Sequence, residues 1–322
     1  MNKQEMIKKM NEAGKTGEAF VFVIDFEMKN CIFKPLTSLD SCLFFSLGTH
    51  IHLPENTTSQ KSFYFEKIPV SFSEYRKAFN TVKDNIQHGD TFLTNLTFPT
   101  QLHTDLSLED IFMRSTSPYK LLVVNNFVCF SPECFVKIVN GVIASFPMKG
   151  TIDAAIPDAE RLILNDVKET AEHYTIVDLI RNDLSRVASE VRVERFRYID
   201  KIFTNGKNLL QVSSVIKGQL PADYNQHLGE IIFSLLPAGS ISGAPKKATI
   251  DLILKVEKDN RNYYTGIFGV FDGTNLDSAV MIRYIEQTSQ GLVFRSGGGI
   301  TTNSKAESEY QELIDKVYVS FT

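Results

Sequence analysis

The chain has 322 residues, 43% of them hydrophobic and 22% charged, which is enough apolar material for one large domain or two of ordinary size. Its net charge of −4 argues against a surface built to bind nucleic acid or an anionic membrane. No apolar run reaches the roughly 20 residues that cross a bilayer, and the polar N-terminus lacks the apolar core of a signal peptide. We therefore expect a soluble protein.

The 4 cysteines indicate a reducing compartment. None lies in a C-x-x-C pair and no histidine cluster accompanies them, so we expect neither a disulfide framework nor a zinc site. Free cysteines are typical of cytosolic proteins, and the cytoplasm is the expected location. The cysteines are Cys31, Cys42, Cys129 and Cys134.

The first half of the chain is predicted to form mainly strands after a polar, helix-like start. Apolar residues at helical spacing predict one helix over 72–87. Segments rich in β-branched and aromatic residues predict strands on both sides of it, the later ones separated by short turns as in an antiparallel sheet. The predicted strands cover 19–26, 42–47, 62–65, 90–99, 120–129, 134–139 and 142–147.

The second half alternates helices and strands. Neither a Pro/Gly/Ser-rich linker nor an internal repeat divides it. We therefore predict one α+β domain over residues 1–322, an α/β sandwich of two large antiparallel sheets surrounded by helices. Helices are predicted within 157–187 and near 226–235, 244–256 and 306–318, and strands over 209–217, 265–272, 278–285 and 291–296.

Two glutamates share the apolar side of the long helix in the middle of the chain. Glu169 and Glu172 lie three residues apart, and the same stripe continues through Ile176, Leu179 and Ile180. Burying an unpaired carboxylate costs several kcal/mol of folding free energy. We therefore expect a cation to meet these side chains.

The C-terminal helix repeats the arrangement with Glu309 and Glu312. If the two pairs converge, they form an oxygen-rich site for a hard cation, and Mg²⁺ fits because it is held by few carboxylates and often bridges to a ligand. The alternative is that both pairs are solvated helix faces or form ion pairs with Lys168 and Lys316.

Glycines near predicted strand and helix ends provide two possible anion sites. The sequence R-S-G-G-G-I at 295–300 places glycines after a strand, where their amides could bind an anion or make a tight turn. The run at 236–249 departs from the spacing of a nucleotide P-loop. Ser242 and Gly243 nevertheless lie near a predicted helix start, where an anion can bind.

Two cationic residues also stand out. Arg283 lies in the apolar run 279–285, so it is expected to pair with an acid, as a ligand contact or a structural salt bridge, or to face outward. Lys149 follows a predicted strand and precedes Gly150. In a dry pocket it could act as a base or nucleophile, and the alternative is an exposed turn lysine.

In their order along the chain, these motifs resemble the chorismate-utilising family, which includes anthranilate synthase component I, aminodeoxychorismate synthase component I, and the isochorismate and salicylate synthases. The resemblance covers roughly 85–320, which would carry the catalytic motifs, while residues 1–70 would complete the sheets. It rests on G-D-T-F-L-T-N-L-T (89–97), S-P-E-C-F (131–135), F-P-M-K-G-T (146–151), the helix at 171–187, P-A-G-S-I-S-G-A-P-K (237–246), Y-T-G-I-F-G (264–269), M-I-R-Y (281–284), S-G-G-G-I (296–300) and E-S-E-Y-Q-E-L-I-D-K (307–316).

The resemblance implies a domain of large antiparallel sheets ringed by helices, with chorismate as substrate and Mg²⁺ as cofactor. By similarity, Glu172 and Glu312 would bind the metal directly, whereas Glu169 and Glu309 would act mainly through water. The metal would hold the ring carboxylate of chorismate. The implied substrate-binding residues are Ser242, Gly297, Gly298 and Gly299 for that carboxylate, Tyr264 and Arg283 for the enolpyruvyl carboxylate, and also Thr151 and Lys316.

Two positions favour the aminodeoxychorismate branch of the family. Lys149 stands where the other branches usually have alanine, and in this branch the lysine attacks carbon 2 of the ring and expels the ring hydroxyl. Glu133 matches the general acid/base of the family. Leu93 stands where isochorismate and salicylate synthases carry a lysine that activates water, so transfer of hydroxide is disfavoured.

The branch assignment leaves alternatives open. Anthranilate synthase component I is one, and a non-catalytic chorismate-binding subunit is a more remote one. The chain departs from family patterns at Gln211, where many members have histidine, and at Leu93, where the aminating branches usually have glutamine. No glutaminase signature with a nucleophilic cysteine is present. We therefore expect ammonia to come from a separate glutamine amidotransferase subunit.

Overall fold

The fold is built from two antiparallel sheets of 9 strands each, with helices packed outside them. The structure is a computed structural model that describes residues 1–55, 62–202, 208–319 and 321, without the side chain of Lys168. This arrangement confirms the predicted α+β sandwich.

The described strands range in length from 2 to 14 residues. They are β1 (Phe20–Ile24), β2 (Cys31–Pro35), β3 (Leu43–Leu47), β4 (His50–His52), β5 (Phe65–Pro69), β6 (Leu93–Thr104), β7 (Tyr119–Val123), β8 (Phe127–Ser131), β9 (Cys134–Val139), β10 (Val142–Ser145), β11 (Met148–Asp153), β12 (Ser189–Ile202), β13 (Leu209–Gln219), β14 (Gly243–Ala244), β15 (Ile267–Phe271), β16 (Leu276–Val280), β17 (Tyr284–Thr288) and β18 (Gly291–Ile300).

Four of the described helices begin with a side-chain cap. The Asn2 side chain accepts from Glu5 N–H, and the Asp166 side chain accepts from Glu169 N–H at the start of the helix that carries the first glutamate pair. None of the helices in the described ranges combines the length and apolar composition that crossing a membrane requires. The helices are α1 (Lys3–Thr16), α2 (Phe72–His88), α3 (Leu108–Arg114), α4 (Ala159–Asn165), α5 (Val167–Leu184), α6 (Leu228–Leu235), α7 (Gly239–Ser242), α8 (Lys246–Val256) and α9 (Ala306–Asp315).

Each sheet mixes strands from distant parts of the chain. The first sheet has the order β11–β13–β10–β9–β16–β15–β1–β2, with β12 also paired to β13. The second has the order β14–β6–β18–β17–β8–β7–β3–β4, with β5 also paired to β6. Strands from the first 70 residues therefore complete both sheets, while β6 and β18 form a long antiparallel pair in the second.

Alternating side chains of β1 show how the layers are held together. Val21 and Val23 point between the sheets and share a core cluster with Phe45 of the second sheet. Phe20 and Phe22 point to the opposite face, where they share a core with α1 and α6. The second sheet buries its own outer face under α2, α3, α8 and α9. The result is a four-layer arrangement of helices, sheet, sheet and helices.

One predicted strand is in fact two strands in different sheets. The run 278–285 was expected to be a single strand, but β16 ends at Val280 in the first sheet and β17 begins at Tyr284 in the second. Arg283 has a φ of 53°, a left-handed conformation that an extended strand cannot contain. Uniform apolar composition hides this crossover, and the prediction that Arg283 lies inside a strand was wrong.

Other boundaries also differ from the prediction. The range 120–129 is split into β7 and β8 by a turn in which Asn125 has a φ of 58°. The strand expected over 62–65 begins only at Phe65. The long strand β12 has no buried residue, and irregularities in its pairing with β13 interrupt the alternation of side chains by which a strand is recognised. The cysteines are free thiols, as expected.

Candidate active site

A cavity of about 490 Å³ receives side chains from both sheets and from α5, α7 and α9. Nearly all of the residues singled out in the sequence line it. They are Glu133, Lys149, Thr151, Glu169, Glu172, Tyr264, Arg283, Gly297, Gly298, Gly299, Glu309, Glu312 and Lys316. The fold thus brings together residues that are more than 180 positions apart in the chain, from Glu133 to Lys316.

The first glutamate pair faces β11. Glu172 is 8% exposed, and the Nζ atom of Lys149 lies 3.4 Å from its Oε2 atom. Gly150 allows the close approach of α5, because a Cβ atom there would lie 3.3 Å from Oε2 of Glu169. Lys149 is therefore a partly buried strand residue that points at an acid, and the alternative of an exposed turn lysine does not hold.

The second glutamate pair faces β18. Glu309 is 3% exposed, whereas Glu312 is more open and pairs with Lys316, whose Nζ lies 2.7 Å from its Oε1. The same ammonium group donates to the carbonyl of Gly297 over 2.8 Å. A Cβ atom on Gly298 would lie 3.5 Å from Oε2 of Glu309 and 3.6 Å from Oε1 of Glu312. The glycine segment of β18 thus forms a wall of the cavity beneath α9.

Lys149 links the two sides of the cavity. A Cβ atom on Gly299 would lie 3.8 Å from the Nζ atom that contacts Glu172. Both acidic pairs therefore line one cavity around a primary amine. Among the described residues, no three acidic, histidine or cysteine side chains converge closely enough, as they stand, to coordinate one ion. The Lys168 side chain, offered as an alternative partner, lies outside the described residues.

The three glycines of β18 are extended strand residues, so the expected turn or nest after a strand was wrong. Each pairs with β6, Gly297 with Thr97, Gly298 with Leu96 and Gly299 with Asn95. Because glycines lack side chains, they leave space beside β18. Gly298 opens toward α9, whereas a Cβ atom on Gly297 would lie 2.6 Å from the carbonyl oxygen of Leu96.

Gly298→Ala tests this wall of the cavity. Its methyl group would make ordinary contacts in an extended backbone, so we expect the unfolding free energy to stay within about 1 kcal/mol of wild type. The methyl group would fill the space between the α9 carboxylates, so a divalent cation held by these carboxylates should bind about tenfold more weakly or worse. Urea unfolding and calorimetry measure the two quantities. Gly297→Ala should instead destabilise the fold, and wild-type binding by Gly298→Ala would contradict this assignment.

Glu133 lies between β8 and β9 and reaches the cavity beside Ser240, whose hydroxyl donates to its Oε1 atom. Burial raises the pKa of the Glu133 carboxyl. The Ser240 hydrogen bond and the charges of Lys149, Lys316 and Arg283 oppose this increase in the pKa without cancelling it. A carboxyl group with a raised pKa holds its proton to higher pH, as a general acid requires.

An arginine and a tyrosine also line the cavity. Arg283 lies in the crossover between the sheets, with its guanidinium 5.0 Å from the ring centre of Tyr318. Tyr264 is 3% exposed, and burial raises the pKa of its hydroxyl to about 12, so the group stays a neutral donor. Thr151 and Gln211, paired neighbours on β11 and β13, also line the cavity.

Ser242 is not brought to the cavity wall. It is fully buried, and its hydroxyl donates to the carbonyl of Ala238 over 2.8 Å. Its helix, α7, has only 4 residues and is followed directly by the short strand β14. A substrate contact through this side chain would first require that internal hydrogen bond to break.

Arg261, which was not predicted from the sequence, is 1% exposed and supports the cavity walls from behind. Its guanidinium donates to both carboxylate oxygens of Glu257 at 2.8 and 2.7 Å. It also donates to the backbone carbonyls of Asn95 and Ile241, two residues that line the cavity. The surrounding sequence D-N-R-N-Y is polar, so no pattern distinguishes this arginine from a surface residue.

Arg261→Met should lower the unfolding free energy by about 3–5 kcal/mol, because it leaves the Glu257 carboxylate buried without its main counter-ion. The double variant Arg261→Met/Glu257→Leu should recover most of this loss, since it removes both buried charges. Urea denaturation of the two variants and the wild type checks the prediction. Equal stability of wild type and Arg261→Met would show that the pair contributes nothing.

Comparison with known proteins gives matches over nearly the whole chain. A family model described as chorismate binding enzyme matches residues 4–321. An uncharacterised PabA-like protein from Pasteurella multocida is 49% identical over 321 residues, 99% of each chain. Aminodeoxychorismate synthase component 1 from Salmonella typhimurium is 31% identical over 76% of this chain and 56% of that protein. Anthranilate synthase component I from Streptococcus pneumoniae, a crystal structure, is 28% identical with a TM-score of 0.67, over 78% of this chain and 58% of that one.

Proposed function

The chain belongs to the chorismate-binding enzymes, and we propose that it is an aminating member that converts chorismate and ammonia into 4-amino-4-deoxychorismate. The observation that carries this proposal is the position of Lys149, whose amine lies in the cavity beside Glu172 and across from Gly299. The relative from Salmonella typhimurium, an aminodeoxychorismate synthase component 1, supports the same branch.

In the first step, the Lys149 amine adds to carbon 2 of the chorismate ring. The ring double bonds shift and the hydroxyl at carbon 4 leaves. Glu133 gives that hydroxyl its proton, so that water departs instead of hydroxide. The raised pKa of Glu133 suits this role, since the group must be protonated before the step begins.

In the second step, ammonia adds at carbon 4, where the hydroxyl had been, and the double bonds shift back. The bond between carbon 2 and the Lys149 nitrogen breaks, and the amine is regenerated. Glu133, now a carboxylate, takes a proton from the incoming ammonia. One difficult substitution thus becomes two easier ones, and the position of the lysine directs the nitrogen to carbon 4.

The donor set of the cavity fits Mg²⁺, because four carboxylates line it and two of them, Glu172 and Glu309, are buried. Glu172 and Glu312 would hold the ion directly, and Glu169 and Glu309 would act through water. When bound, the ion offsets the negative charge of the glutamates and of the ring carboxylate of chorismate. Arg283 and Tyr264 bind the enolpyruvyl carboxylate, and Lys316 and Thr151 complete the substrate contacts.

Ammonia would be supplied by a glutamine amidotransferase partner. Relatives of this chain are named component 1 of aminodeoxychorismate synthase and of anthranilate synthase, which supports an assembly with a second component. The reaction would place the chain in the synthesis of 4-aminobenzoate for folate.

Anthranilate synthase component I is the second candidate, because a solved structure with that title matches at 28% identity. Incubation of the pure chain with chorismate, Mg²⁺ and ammonium separates the two. We expect a product that keeps its enolpyruvyl side chain, identified by chromatography and mass spectrometry. Anthranilate, which is aromatic and has lost pyruvate, would overturn the proposal. No turnover at all would support a non-catalytic chorismate-binding subunit.

A further inference from the structure

A second, much smaller void lies beside Glu133. Its volume is about 30 Å³, and both Glu133 and Ser240 line it as well as the active-site cavity. The hydrogen bond from the Ser240 hydroxyl to Oε1 of Glu133 therefore lies where the two spaces adjoin. Since roughly 10–15 Å³ is enough for one water molecule, the void has room for a molecule of that size next to the Glu133 carboxyl group.

The void is lined mainly by apolar side chains. Leu184, Leu235 and Ala238 are part of its lining, and each is 2% exposed or less. The hydroxyl of Ser145, which also lines the void, donates to the carbonyl of Phe135 over 3.1 Å. An ammonium ion would lose its hydration in such surroundings at a high cost in free energy, whereas a small neutral molecule would lose much less. The lining therefore favours a neutral molecule over a cation.

Helix α5 lies along one side of the void. Its residues Ile180, Asp183 and Leu184 all line the void, as their spacing on one face of the helix allows. Ile180 and Asp183 are partly exposed, and Oδ2 of Asp183 lies 2.7 Å from Nζ of Lys246. On this side the void thus comes close to solvent, and an ion pair between α5 and α8 keeps that wall in place.

The proposed reaction needs an entrance for ammonia that the substrate does not fill. Ammonia adds only after chorismate is bound in the cavity and joined to Lys149. It must then arrive at carbon 4 beside Glu133, which takes its proton. The void adjoins the cavity at that carboxyl group and extends to the partly exposed side of α5. A nucleophile that crosses the void reaches Glu133 without passing the bound ring.

We infer that this void is the route by which neutral ammonia enters the site, past Ile180 and up to the hydrogen bond between Ser240 and Glu133. The inference rests on the proposed amination of chorismate. It makes Ile180 a residue that determines the size of the accepted nucleophile, although its side chain touches no reacting atom. The chain then accepts ammonia and discriminates against methylamine, which is one carbon larger.

Ile180→Phe places a larger side chain at the outer side of the void. Turnover is measured with saturating chorismate and Mg²⁺ while the ammonium concentration is varied. We expect kcat/KM for ammonium to fall about tenfold or more, while the chorismate affinity measured by calorimetry stays at its wild-type value. Val187→Phe is the matched control and should keep wild-type ammonium kinetics, because Val187 packs against the same core but does not line the void.

Ile180→Ala makes the opposite change, since its shorter side chain widens the void. Alanine is also the strongest helix former, so α5 should be retained. We expect the ratio of methylamine turnover to ammonia turnover to rise about tenfold over the wild type. Mass spectrometry identifies the methylamine product by its extra methyl group. Unfolding midpoints in urea establish that each variant is folded under the assay conditions.

Wild-type ammonium kinetics in a folded Ile180→Phe, with an unchanged methylamine ratio in Ile180→Ala, would overturn this route and show that ammonia enters through the open cavity. An equal loss in Val187→Phe would also overturn it, because the effect would then come from general packing around α5. Should Ile180→Phe fail to fold, the methylamine ratio of Ile180→Ala decides alone. Failure of the wild-type chain to aminate chorismate would instead contradict the proposed function itself.

Discussion

Lys149→Ala is expected to abolish formation of 4-amino-4-deoxychorismate, with a loss of kcat on the order of 10⁴-fold or more, while chorismate still binds within about tenfold of wild type. The reason is that the variant loses the nucleophile but keeps the glutamates, Arg283 and the glycine wall. A discontinuous assay with chromatographic detection measures turnover, and calorimetry measures binding. Full activity in this variant would remove the covalent step from the mechanism.

Lys149→Arg is the matched control for charge. The amine of Lys149 lies 3.4 Å from a carboxylate of Glu172, so a lysine that acted only as a counter-ion could be replaced by another cation. A guanidinium keeps the charge but stays protonated and cannot attack the ring. We expect Lys149→Arg to be as inactive as Lys149→Ala. Substantial activity in Lys149→Arg would show that the residue works through its charge.

Glu133→Gln is expected to lower kcat by about 10²–10⁴-fold with little change in chorismate affinity. The amide keeps the shape and can still accept from Ser240, but it cannot transfer a proton. In the wild type, the raised pKa of Glu133 means that the acid form is lost only as pH rises through that raised value. Activity that needs the acid form therefore falls with increasing pH over this window. Steady-state profiles of activity against pH should show this falling limb in the wild type and not in Glu133→Gln.

Ser240→Ala should shift the falling limb of the pH–activity profile while it keeps the Glu133 carboxyl group. The Ser240 hydroxyl donates to the carboxylate and so favours the ionised form, which lowers the pKa. Its removal should raise the pKa of Glu133 further and move the falling limb to higher pH. A limb that keeps its position in Ser240→Ala, or that persists in Glu133→Gln, would assign the titration to another group.

Much of the fold could be read from the sequence because its strands and helices carry strong periodic patterns. The range predicted for β9 was 134–139, and the structure has Cys134–Val139, since the flanking polar turns mark both ends. Elements without such patterns were missed. Strand β12 has no buried residue and half of its 14 residues are charged. The crossover at Arg283 lies in a mainly apolar run, and its change of sheet is a tertiary property.

The cavity was predictable to a similar extent. The spacing of Glu169 and Glu172 on an apolar helix face indicated burial beside a cation, and the contact with Lys149 agrees with that reasoning. Arg261 and Arg295 could not be identified. Each arginine pairs with an acid that the helix or strand geometry brings into contact with it. The acid is Glu257 for Arg261 and Glu286 for Arg295. The polar or irregular sequence around each arginine does not reveal that contact.

Glutamates from α5 and α9 are proposed to hold one divalent ion beside Lys149. Calorimetric titration with Mn²⁺, a spectroscopically useful stand-in for Mg²⁺, tests it in the presence of chorismate and without ammonium. We expect one site per chain, weakened on the order of 100-fold in both Glu172→Gln and Glu312→Gln, and unchanged in Glu307→Gln on the exposed side of α9. Mn²⁺ affinity that depends on one helix alone, or on neither, would contradict a shared metal site.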